Sequence, residues 1–160
     1  MRPNKVEYYL NIAESVAQRG TCLRRKFGAI IVKDDRIVST GYVGAPRGRK
    51  NCCDLGYCYR MENNIPSGQQ YEKCRSSHAE MNACIQASAE EMKDAILYLV
   101  GIENDDTYTN SDCCAMCKRV IINSGINKVI ARQSDGTYTE TPVQQWIDND
   151  DSLDIHHVGY

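Results

Sequence analysis

The chain has 160 residues, a formal net charge of −2 and a hydrophobic fraction of 42%, which is room for one ordinary globular domain with a real core and little more. With 25% of residues charged, the composition is that of a folded chain rather than a disordered one, and its mild acidity excludes any blanket attraction to nucleic acid or an anionic membrane. The first residues hold no apolar core of signal-peptide length and the longest apolar run, Ala95 to Val100, is too short to span a bilayer, so the expectation is one cytoplasmic domain over 1–160 with no membrane partner.

In chain order, Val6, Tyr9, Leu10, Ala13, Val16 and Ala17 recur at helical spacing before Gly20, predicting a helix over Arg2 to Arg19 with Pro3 in its first turn. "FGAIIVKDDRIVSTGY" predicts an antiparallel hairpin turning at Asp34-Asp35, with both strands well buried. From Val43 to Cys74 periodicity disappears and turn formers dominate, so this is an irregular excursion with a short helix near Tyr59, and loops of that length are usually functional or held by something. A helix "HAEMNACIQASAEEM", a strand at Ala95 to Val100, a helix from about Cys114 to Asn123 stopped by Gly125 and a strand "KVIA" follow. Their alternation implies parallel pairing, and the hairpin joined to it makes a mixed sheet covered by helices. "TPVQQWIDND" is a further amphipathic candidate, and beyond it His156 and His157 have no visible partner.

The nine cysteines are odd in number and unevenly spread, which suits a reduced compartment where thiols bind metal or react rather than a disulfide framework. Two motifs carry chemistry. "HAE" at His78 to Glu80 opens one helix and "CAMC" at Cys114 to Cys117 opens the next. Thiols at i and i+3 in a first turn lie on one side and can grip one ion, while neighbouring helices can start at the same end of a sheet. One histidine with two cysteines leaves the fourth tetrahedral position of zinc open, the ligand count of a catalytic site. Helix starts also favour thiolate over thiol. Two thiolates cancel the charge of Zn²⁺, so a nearby carboxylate base becomes useful, and Glu80 reaches the axial end only if His78 sits at the helix N-terminus. Alone, "HAE" is a chance string and C-x-x-C is ambiguous between zinc and redox chemistry; together and in this order they match the zinc-deaminase signature.

With the blocks "TCLRRKFGAIIV", "GYVGAPRG" and "CKRVIINSGINKVI", these motifs closely resemble the zinc-dependent cytidine and deoxycytidylate deaminase superfamily, and within it the deoxycytidylate (dCMP) deaminase branch. The resemblance covers most of the chain. It implies a three-layer α/β/α sandwich around a five-stranded mixed sheet, zinc on His78, Cys114 and Cys117, Glu80 as proton shuttle, and hydrolytic deamination of dCMP to dUMP and ammonia. It also implies a homo-oligomer. Two positions depart from the family pattern. Cys113 stands where proline is usual, which opens a rival register because Cys113 and Cys117 at i and i+4 also share a face; the family spacing keeps Cys114. Val43 stands where asparagine is usual, and valine cannot hydrogen-bond sugar or base.

Cys22, Cys52 or Cys53, Cys58 and Cys74 surround the excursion, and as some relatives do, this chain could hold a second, structural zinc there, with Cys22, Cys52, Cys58 and Cys74 as the ligand set. Arg24, Lys26 and Arg47 are the candidate phosphate partners of a nucleotide, arginine being suited to bidentate contact. The rival readings are a deaminase of another base or nucleoside, a nucleic-acid-editing deaminase, against which the acidic balance argues, and a non-catalytic zinc module.

Overall fold

The computed structural model describes residues 1–149, so His156 and His157 lie outside the described residues. Helix α1 spans Lys5–Ala17. It starts later than the sequence suggests because the Asn4 side chain accepts a hydrogen bond from the Glu7 N–H, capping the helix after Pro3 rather than around it. Strands β1 (Arg25–Lys33) and β2 (Arg36–Tyr42) form the expected antiparallel hairpin. Asp34 and Asp35 both take positive φ, 49° and 60°, the backbone of a tight hairpin turn whose twist matches that of the strands. Only β1 is well buried. β2 is the sheet edge and exposes Ile37 and Tyr42.

The excursion contains short helices α2 (Cys52–Leu55) and α3 (Tyr59–Glu62) and a 3₁₀ turn at Tyr71–Lys73. The predicted helix after it is two helices, α4 (Ala79–Ile85) and α5 (Ala89–Met92). Ser88 and Glu91 form a capping box, with Glu91 N–H to Ser88 Oγ at 3.1 Å and Ser88 N–H to Glu91 Oε1 at 2.9 Å, which starts a new helix where the pattern reads as one. Next come β3 (Ile96–Glu103), β4 (Tyr108–Thr109), α6 (Ala115–Ser124), β5 (Lys128–Arg132), β6 (Tyr138–Pro142) and α7 (Val143–Asp148). Gly125 ends α6 in the left-handed conformation at φ 79°.

The strand order is β2-β1-β3-β5-β6, with β3 and β5 parallel and the other pairs antiparallel, and the two-residue β4 hangs on β3. That makes six strands among the described residues where five are expected, the extra one being β4. Period-two alternation divides the core. Ile30, Val32, Val100 and Ile130 face Leu10 and Ala13 of α1, whereas Ala29, Ile31, Leu99 and Val129 face Ala79, Ala83 and Ile121 of α4 and α6. Helices thus cover both faces of the mixed sheet. Arg132, 3% exposed, ties β5 to α1 through a two-pronged contact with Glu7 at 2.8 and 3.1 Å.

Two glycines set how closely the helices approach. A Cβ at Gly28 would lie 2.3 Å from Ala17 N and 2.4 Å from Ala13 O of α1, and one at Gly41 would lie 2.3 Å from Ala83 N of α4. Gly28→Ala is expected to lower unfolding free energy by about 3 kcal/mol in urea titration, because backbone cannot yield as a side chain can. A loss below about 0.5 kcal/mol, the range of neutral surface changes, would mean that α1 shifts freely.

Candidate active site

The close seat of α4 on β2, which Gly41, Ala79 and Ala83 permit, places the start of α4 beside that of α6. His78 is the N-cap of α4, with φ −74° and ψ 154°, and its side chain makes no capping bond, so the ring is available to the neighbouring helix. Cys114 is the N-cap of α6, and its sulfur accepts from the Cys117 N–H at 3.5 Å. His78 Nδ1 lies 3.5 Å from Cys114 Sγ and 3.4 Å from Cys117 Sγ, and the three buried donors are all within 4.8 Å of one another. Tetrahedral zinc with ordinary bond lengths would set nitrogen and sulfur about 3.6 Å apart, so this donor set fits the ion. Among the described residues no second group of three such donors is drawn as close. Cys113 does not join the group and lies buried beside Glu80.

The electrostatics follow from this crowding. The Cys117 thiol donates to the Cys114 sulfur, which with help from His78 brings Cys114 down to about 4 against the opposing effect of burial. The same bond, with burial, pushes Cys117 up. Burial opposes the His78 imidazolium, but the Cys114 contact and the Glu80 charge outweigh it and raise the ring's pKa. Glu80 is 2% exposed; burial raises its pKa against the pull of His78, and its Oε1 has no hydrogen-bond partner. A buried oxygen of that kind is costly unless something else satisfies it. The Tyr71 ring stands edge-on to His78 at 4.7 Å.

His78 and Glu80 open onto a cavity lined also by Phe27, Val43, Tyr71 and by Arg24 and Arg60, which have no carboxylate partner among the described residues. Arg25 and Phe27 line it too, which puts Lys26 on the other face of β1, over Gly20, by simple strand alternation. Arg47 is exposed and borders a separate surface groove with Tyr42 and Ile85. Of the candidate phosphate partners, only Arg24 is therefore brought to the cavity. Val43 is 7% exposed and forms apolar wall, with its backbone N–H held by Phe27 O at 3.0 Å. Cys22 and Cys74 border this cavity, while Cys52, Cys58 and Cys74 border an adjacent one. Burial and the neighbouring thiols Cys58, Cys22 and Cys74 push Cys52 up, so the four lie within electrostatic reach; Cys53 faces solvent. Arg60, Ser67 and Tyr71 escape a reading by periodicity, because they lie in the irregular excursion.

Fold and site together define an α/β/α protein with a His-Cys-Cys candidate metal centre next to a buried carboxylate, one oxygen of which has no hydrogen-bond partner among the described residues. The cytidine and deoxycytidylate deaminase zinc-binding region matches residues 3–133, and the chain belongs to that family. It is 37% identical to the deoxycytidylate deaminase of Mycobacterium phage D29 over 81% of this chain and 94% of that protein. The Schizosaccharomyces pombe deoxycytidylate deaminase is 34% identical over 83% of this chain, which spans only 38% of that longer protein. Among solved structures, the dCMP deaminase of cyanophage S-TIM5 in apo form superposes with a TM-score of 0.58 at 31% identity, covering 85% of this chain and 89% of that one. The S-TIM5 enzyme has also been solved with dCMP and dUMP.

Proposed function

We propose that the chain is a zinc-dependent hydrolase that converts dCMP and water to dUMP and ammonia. The observation that carries this reading is the unpartnered Glu80 Oε1, buried beside the three converging donors. His78, Cys114 and Cys117 would hold the zinc, which would supply a Lewis acid to make a water more acidic and more reactive toward C4 of cytosine. Glu80 accepts the water proton on Oε1 and delivers protons to ring N3 and the departing amine. Burial raises the pKa of its carboxyl above the ordinary carboxylate value, which makes the ionised form a stronger base toward the water proton. Phe27, Val43 and Tyr71 supply the apolar walls for the ring and exclude bulk water.

We also assign Cys22, Cys52, Cys58 and Cys74 around the excursion to a second, structural zinc, which would have to draw their sulfurs together, since among the described residues only His78, Cys114 and Cys117 already converge. Their mutual electrostatic reach supports this, as does the scarcity of buried apolar residues between Cys53 and Cys74. No helix among the described residues is long and apolar enough to cross a membrane. Nine free cysteines favour a cytoplasmic site. Exposed Ile37 and Tyr42 on β2 and Ile85 at the end of α4 favour a homo-oligomer.

Ammonia release from the zinc-loaded protein, measured against cytosine, its nucleosides, monophosphates and triphosphates, tests the function. The expected outcome is turnover with dCMP well above the nucleosides. Release from none of them would leave a non-catalytic zinc module as the better reading.

A further inference from the structure

We propose that Gly101 is a positioning residue for the substrate ring: by lacking a side chain it lets the Phe27 ring lie over β3 and keeps the cavity before His78 and Glu80 open to a pyrimidine. The assignment rests on the reading above, in which that cavity takes the cytosine ring. Phe27, Gly101 and Thr109 are cross-strand partners on β1, β3 and β4. A Cβ at Gly101 would lie 2.5 Å from Phe27 Cε1, 2.9 Å from Phe27 Cδ1 and 2.7 Å from Thr109 Cγ2, well inside the roughly 3.5–4.0 Å at which two carbons pack best. The edge of the Phe27 ring therefore occupies the space over Gly101 that any side chain would take.

The group that would yield to such a side chain sets the consequence for the site. Gly101 N–H donates to Ser111 Oγ at 2.7 Å, and Ser111 is fully buried, so the β3 backbone is pinned at this point. Thr109 is β-branched and stiff at χ1, and its strand pairs with β3 at the same position. The Phe27 ring is the softer element. It stands between Gly101 on β3 and Val43, whose backbone N–H donates to Phe27 O at 3.0 Å. Phe27 and Val43 are among the described residues lining the cavity, and Gly101 is not. A ring pushed away from Gly101 therefore moves toward Val43, into the space before His78 and Glu80. Gly101 acts on the substrate through Phe27, and a shift of about 1 Å there is enough to misplace a bound ring.

The test is a double-mutant cycle of Gly101→Ala and Phe27→Leu, read as the calorimetric affinity of the zinc-loaded proteins for dUMP, with zinc content checked in each. Leucine has no atom at the Cε1 position, so the collision loses its nearest contact. Gly101→Ala alone should weaken dUMP binding about tenfold, the scale of overpacking a tight contact, with zinc content unchanged. In the Phe27→Leu background the same substitution should cost less than about twofold, the scatter of independent sites. A purely structural glycine would cost the same in both backgrounds, and that result overturns the assignment. So does wild-type affinity in Gly101→Ala, which would mean that Thr109 or β3 gives way instead of the ring. Should Gly101→Ala alone not fold, the paired variant decides: folding with the affinity of Phe27→Leu supports the assignment, and failure to fold overturns it. Failure of wild type both to bind dUMP and to release ammonia from dCMP would sink the functional reading and this assignment with it, whereas an additive cycle strikes Gly101 alone.

Discussion

A Glu80→Gln protein is expected to keep its fold and its zinc while losing dCMP deamination by about a thousandfold, the scale of a positioned general acid-base. Glutamine fills the same volume but cannot take a proton from water, and at 2% exposure no bulk solvent reaches the position to substitute for the carboxylate. Stability should move in the opposite direction. The folded pKa of Glu80 is raised by burial, so the group favours the folded state below the ordinary carboxylate value near 4.5 and loses that contribution as pH rises through the folded value. Above that window the metal-free variant should unfold in urea no earlier than metal-free wild type. Activity near the wild-type level in zinc-loaded Glu80→Gln protein would remove Glu80 from the chemistry.

The second large effect concerns the metal. Cys117 is fully buried with its sulfur 3.4 Å from His78 Nδ1, and Cys117→Ala leaves two donors where a catalytic zinc needs three. Metal analysis should show one ion fewer per chain than wild type, and ammonia release should fall below detection, since metal binding and local order are coupled. Cys113→Ala should retain the full zinc complement, because Cys113 lies outside the donor group; loss of zinc there would restore the rival register. Wild-type protein is expected to carry two ions per chain, and a count of one would remove the assignment of Cys22, Cys52, Cys58 and Cys74 to a second site.

Local signals were legible wherever a residue and its consequence are close in sequence. The Asp34-Asp35 turn, the Gly125 stop and the two helix starts at His78 and Cys114 all depend on a few adjacent backbone angles. The break between α4 and α5 was written as Ser88 and Glu91, but helical periodicity masked it. β4 and β6 escaped because two- and five-residue strands with half-exposed faces have no apolar alternation to read.

The candidate site is local in each half: His78 with Glu80, and Cys114 with Cys117, take their places from spacing at the first turn of a helix. Which cations share their cavity is a different kind of question. Lys26 and Arg25 are neighbours in the chain, yet the strand pleat sends only Arg25 to that wall, and Arg60 arrives there from a loop with no periodicity. Packing of the Ile65 to Gln69 loop against Arg24 and Arg60 settles that arrangement. The contacts of Arg24 with this loop span 41 and 43 positions, and no short-range rule of backbone conformation reaches that far.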